Sequence, residues 1–154
     1  MMILSAEVLV YSQPAKEKLM PVTTNSKSVL SLYNQAMKYY DDVHLDKALE
    51  TFKYALDKDP DFFMVNYHLA FYYLMNQAPE DFVKYADAAI NCKAKLNDAE
   101  ELLKDALVRL KQGRTNIIDI GEKLVEMYPD DPNSYNDLIY FQSLAGDTKN
   151  MVET

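Results

Sequence analysis

Apolar residues recur at helical spacing through the middle of the chain. Leu32, Ala36 and Tyr39 fall at i, i+4 and i+7, and Ala48, Phe52 and Ala55 repeat that spacing further on. Each set lines one face of a helix. The polar stretch between them, Tyr40-Asp41-Asp42-Val43-His44, is long enough only for a turn between antiparallel helices. The pair ends at Asp59-Pro60-Asp61, where proline lacks the N–H needed to continue. The same reading predicts helices over residues 28–40, 45–58, 62–75, 79–92, 98–112, 116–128 and 133–144, and a last fragment over 148–154. The third, FFMVNYHLAFYYLM, is apolar on nearly every face, so it is buried on several sides or carries a binding surface. Pro79 suits a first helical position. Asn97-Asp98-Ala99-Glu100 reads as a capping box, Gly113 as a left-handed stop, and Thr115 as the cap of the sixth helix. The fragment after Gly146-Asp147 has about two turns, a length that is marginal for an isolated helix.

Within residues 32–60 the large and small apolar positions come in a fixed order: Leu32-x2-Gln35-Ala36-x2-Tyr39, then Ala48-x3-Phe52, then Pro60. Small residues let two helices approach closely and large ones fill the space beside them. This order resembles a tetratricopeptide repeat, whose pattern W-x2-L-G-x2-Y, A-x3-F, P has a period of about 34 residues. Leu32 and Gln35 depart from the family's Trp and Leu; the other positions keep their offsets. One period carries Tyr33 to Tyr67, Ala36 to Ala70, Tyr39 to Tyr73, Ala55 to Ala89 and Leu56 to Ile90. The pair Ala48/Phe52 becomes Phe82/Ala86, an exchange that nearly preserves volume, while Ala94 stands where a proline would. Leu69 then matches Leu138 and Pro60 matches Pro129, so the third unit has roughly one extra residue. Tyr135-x2-Leu138-Ile139 looks like the start of a fourth unit. Residues 28–154 thus hold about 3.7 units, and residues 1–27 lie outside the array. The resemblance implies an all-α fold, a right-handed solenoid of antiparallel helix pairs with about seven helices plus a truncated last one.

The composition agrees with a folded helical domain. With 49% hydrophobic and 26% charged residues the chain is not of the disordered class, and its 3 glycines favour helix. The net charge of −8 would repel a phosphate backbone, so nucleic acid is not an expected partner. Cys92 is the single cysteine, which excludes an intrachain disulfide and suggests a small buried hydrophobe. Residues 1–13 are apolar, and Val10 and Ser12 would suit a signal-peptidase site. Yet the first ten residues hold no Lys or Arg, and Glu7 interrupts the apolar core. They are not expected to be a complete signal peptide. The remnant of one stays open, and with it the choice between cytoplasm and export. No stretch reaches the roughly 20 apolar residues that span a membrane. Residues 14–28, rich in Pro, Thr, Asn and Ser, read as an extended linker leading to a helix cap. The apolar run Ile3, Leu4, Val8, Leu9, Val10 and Tyr11 is expected to dock on the array, since it is a liability in water.

Candidate chemistry is sparse. His44 and His68 have no partner at zinc-ligand spacing. Asp57-Lys58-Asp59-Pro60-Asp61 imitates the start of a calcium loop but has Phe62 where glycine is needed and His68 where glutamate is needed. Its carboxylates, like Asp130 and Asp131, are expected to cap helix ends. There is no phosphate-cradling glycine loop and no pairing of nucleophile with base. Neither an enzyme nor a cofactor is expected.

What remains is a surface. In tetratricopeptide arrays the second, fifth, ninth and twelfth residues of each unit line a concave groove. The resemblance places Leu30, Tyr33, Met37 and Tyr40 there from the first unit, and Met64, Tyr67, Phe71 and Leu74 from the second. The carboxylate-clamp variety has Lys and Asn where this chain has Tyr33 and Met37, so an acidic chain terminus is not the expected ligand. The resemblance implies a scaffold or adaptor that binds a protein or peptide of apolar or aromatic character. The alternative is a structural region of a larger protein, its groove filled by its own chain. An uncapped end around Tyr135 and Leu138 is expected either to self-associate or to be covered by a further helix of a longer protein, because terminal repeats need a polar face, and the N-terminal segment offers a second route to self-association.

Overall fold

A computed structural model of the chain describes residues 17–146, which form seven α-helices and no strand. These are α1 (Lys27–Asp41), α2 (Leu45–Lys58), α3 (Phe63–Met75), α4 (Pro79–Ile90), α5 (Asp98–Lys111), α6 (Ile118–Met127) and α7 (Pro132–Ala145). The apolar run of residues 3–11 and the fragment over 148–154 lie outside the described residues. Side-chain caps fix three helix starts. Ser26 accepts from the Val29 N–H, Asn97 and Glu100 form the capping box, and Asp131 accepts from the Asn133 N–H behind Pro132. Two starts differ from expectation. Thr115 does not cap α6; its carbonyl accepts from the Ile117 N–H, and the start is set by Ile117, which is fully buried. The carboxylates of residues 57–61 do not cap α3 either, because Phe62 occupies the cap position and is 1% exposed, so apolar burial decides that corner.

Left-handed backbone marks the turns after α1, α3, α5 and α7. It falls at Val43 (φ 61°), Gln77 (φ 56°), Gly113 (φ 72°) and Gly146 (φ 75°), at intervals of 34, 36 and 33 residues. Glycine takes this conformation without cost, whereas in an L-residue the Cβ meets the following carbonyl at roughly 1–2 kcal/mol. Val43 is β-branched and 77% exposed, so it gains no packing in return. Val43→Asn is expected to raise stability by about 1 kcal/mol, because asparagine tolerates the left-handed region. Urea unfolding would show a higher midpoint at unchanged slope; an unchanged or lower midpoint would refute the strain.

The apolar helix α3 is the centre of the core. Phe63, Met64, Val65, Tyr67, Leu69, Ala70 and Phe71 are all buried, which explains why it lacks a polar face. Helices α1 and α2 cover one side through Tyr33 and Phe52, and α4 covers another through Phe82 and Tyr85. Phe141 of α7 meets Phe71 at 5.6 Å between ring centroids. The small residues Ala36, Ala48, Ala55, Ala70, Ala86 and Ala89 are fully buried, as close helix approach requires. The exchanged pairs Ala48/Phe52 and Phe82/Ala86 are buried at all four positions. The closest helix pairs are α1–α2, α3–α4 and α6–α7. The last of these rests on Gly121, whose missing Cβ makes room for the backbone of Leu138. Leu138, expected on an open face, is therefore 6% exposed. Cys92 is partly buried.

Candidate functional site

The eight residues assigned to a groove divide by depth. Tyr33, Met64, Tyr67 and Phe71 are buried, and Leu30, Met37, Tyr40 and Leu74 are partly buried. Six of them line three adjoining hollows between α1 and α7. A cleft of about 410 Å3 touches Tyr33, Met37 and Met64. A cavity of about 40 Å3 touches Met37, Tyr40, Tyr67 and Phe71. A further hollow of about 140 Å3 touches Tyr40 and Phe71, with Leu45 and Met75 at its mouth. Leu30 and Leu74 pack against the core instead of lining these spaces. Helix α1 supplies one wall, α3 the floor and α7 the other wall, and the Tyr40 and Tyr140 hydroxyls meet across it at 3.4 Å.

One edge of the groove is closed by the chain itself. Residues 17–25 run without helix into the Ser26 cap, as the linker composition leads one to expect. The Lys18 N–H donates to Asp130 Oδ2 (2.9 Å) and the Met20 N–H to Asp131 Oδ2 (2.7 Å). The Thr23 N–H donates to Glu100 Oε1 (2.8 Å), and Asn97 Nδ2 donates to the Pro21 carbonyl (2.9 Å). Bonds between N–H groups and carboxylates are charge-assisted and roughly twice as strong as neutral ones. The strap so held lies along the N-terminal ends of α5 and α7 and turns Leu19, Met20 and Val22 to the large cleft. Asp130 therefore holds the strap and does not cap a helix; Asp131 does both.

The floor of the groove is polar at two points, one buried and one partly buried. The Tyr67 hydroxyl donates to Asp137 Oδ1 at 2.7 Å. Burial pushes the Asp137 carboxyl up from 3.8 to about 7; the Tyr67 bond opposes that rise and the nearby Asp131 charge adds to it. The Tyr33 hydroxyl and His68 Nε2 share a bond of 3.1 Å. The His68 ring stacks on Phe52 at 5.7 Å, and burial lowers its pKa to about 4, so at neutral pH it is an uncharged member of an aromatic cluster. Burial also raises the hydroxyl pKa of Tyr33, Tyr40 and Tyr67, with neighbouring acceptors and negative charge adding to the effect. All three hydroxyls remain protonated at physiological pH.

The sequence reading missed the α7 wall and the strap. Both had a signal. The offset that carries Leu69 to Leu138 also carries Phe71 to Tyr140 of the α7 wall, and the linker's own Leu19, Met20 and Val22 are apolar. A second cleft of about 410 Å3, lined by α2, α3 and α4, has a different character. Lys53 and Lys84 flank it, each over a tyrosine ring. Among the described residues no group of His, Cys, Asp and Glu is arranged to hold a metal ion, and no helix is long and apolar enough to cross a membrane. No known family model matches the chain, and no curated protein matches it.

Proposed function

We propose that this chain is a tetratricopeptide-like module, a solenoid of helix pairs that binds extended protein segments in the groove between α1, α3 and α7. It works as a scaffold or adaptor and carries out no reaction. The repeat order of small and large residues and the regular left-handed turns support the architecture. The observation that carries the binding role is the strap, an extended segment already held at this groove by acceptors on α5 and on the turn before α7. Such a surface satisfies main-chain N–H groups while the adjoining cleft takes apolar side chains, which is how extended peptides are bound elsewhere. Isothermal titration with short apolar and aromatic peptides is expected to give measurable binding that weakens for Met37→Ala. Peptides ending in several acidic residues are expected not to bind. Tight, salt-sensitive binding of an acidic peptide would overturn the reading.

A second reading has its own support. The strap and α7 together leave Tyr33, Met64, Tyr67 and Phe71 buried, as in a structural region whose groove its own chain has filled. Absence of binding by every peptide, with the strap amides protected from hydrogen exchange throughout, would select it.

A further inference from the structure

We infer that the partner segment is cationic as well as apolar, with a Lys or Arg side chain seated at Asp41; this rests on the peptide-binding reading above. The cleft of about 410 Å3 between the strap, α1 and α7 is large enough for several side chains and remains open beside the strap. Its apolar part is Leu19, Met20, Val22, Met37 and Met64, and Leu19 stands 50% exposed at the rim. Its charged side chains are net negative. Asp41 and Asp131 line it against a single cation, Lys38. Asp131 is already engaged by the Met20 N–H and by Asn133. Asp41 is exposed, borders both the large cleft and the small cavity below it, and enters no ion pair among the described residues.

The strap shows what kind of chain this edge holds. Its main-chain N–H groups meet carboxylates, and its side chains at the cleft are aliphatic. A second extended segment beside it would meet the same apolar wall and, with Asp131 taken up by the strap, Asp41 as the carboxylate of the cleft left to accept. A chain carrying −8 overall also attracts a cationic segment during encounter and repels an anionic one. An acidic ligand is thus disfavoured in approach and in the bound state.

The test is fluorescence anisotropy on the full chain with three dye-labelled octapeptides. They share a core of leucine, valine and tyrosine and are flanked by lysines, glutamines or glutamates. The lysine peptide is expected to bind about fivefold more tightly than the glutamine peptide at low salt, the scale of one partly exposed ion pair. High salt should erase the difference. Asp41→Asn should bring the lysine peptide to within about twofold of the glutamine peptide. Asp46→Asn, an exposed change on α2, should keep the preference and so exclude a simple net-charge effect. Equal affinity for lysine and glutamine peptides, or a preference that survives Asp41→Asn, would overturn the proposal and leave the peptide-binding reading standing. Failure of all three peptides would overturn both. Binding gained only by a Val8→Asp, Val10→Asp variant would give the cleft to residues 1–16 of this chain, and the partner proposal would fall.

Discussion

Replacing Asp137 by asparagine should stabilise the protein at pH 8 and leave it nearly unchanged at pH 4. The carboxyl is buried at the groove floor, with a folded pKa of about 7 against an ordinary 3.8. Between these values the folded state binds more protons than the unfolded chain, so stability falls as pH rises from about 4 to about 7 and then levels. The whole interval corresponds to about 4 kcal/mol. Asparagine removes the charge and keeps an oxygen to accept from the Tyr67 hydroxyl. Its own amide is costly to bury, so the expected gain at pH 8 is about 2 kcal/mol. His68 acts in the opposite sense. With its folded pKa lowered to about 4 from 6.5, it contributes stability above pH 6.5 that is lost as pH falls toward 4. The two contributions oppose each other between pH 4 and 6.5, and Asp137→Asn should uncover the histidine limb, rising from pH 4 to 6.5 and then flat. Urea unfolding at pH 4, 6 and 8 would decide. A variant less stable than wild type at pH 8 would mean that the ionised carboxylate is structurally required.

The substitution Gly121→Val should cost about 3 kcal/mol or more and disorganise the groove wall. A Cβ at position 121 would lie 2.8 Å from Leu138 Cα and 2.9 Å from Leu138 Cδ1. The side-chain atom can move, but the Cα cannot unless α7 shifts as a whole. That shift would separate the Tyr40 and Tyr140 hydroxyls and draw Asp137 from Tyr67. Even Gly121→Ala should be a net loss, although alanine gains about 1 kcal/mol over glycine in helix propensity. The double variant Gly121→Val, Leu138→Ala should recover only part of the stability, since the backbone contact remains. Thermal unfolding would show this as a lowered midpoint in all three, and full rescue by the double variant would contradict a backbone cause. A loss of peptide affinity in Gly121→Ala under conditions where it is folded would tie the wall to the function.

The helices were legible because their signals are local. The 3.6-residue periodicity from Leu32 to Ala55 placed α1 and α2 within one residue at each end, and the Asn97 capping box and Gly113 bounded α5 as read. The order of small and large residues also located the buried alanines, because that order is the condition for close helix contact. Local signals misled where burial overrode them. Thr115 has the chemistry of a cap, yet the fully buried Ile117 sets the start of α6, and Phe62 displaces the neighbouring carboxylates at the start of α3.

The sequence alone determined that this chain is helical and which faces of its helices are aromatic and aliphatic. The tertiary structure decided how deep those residues lie and what faces them. Tyr33 and Tyr67 meet His68 and Asp137 from other helices, and α7 closes over Phe71. The strap finds its acceptors at Glu100, Asp130 and Asp131, which are 77 to 112 residues away along the chain. Periodicity encodes which side of a helix is apolar, whereas no local rule states which distant carboxylate a main-chain N–H will reach. The shift of Asp137 toward neutral pH has the same origin, because it comes from burial by several elements at once and exists only when they are assembled.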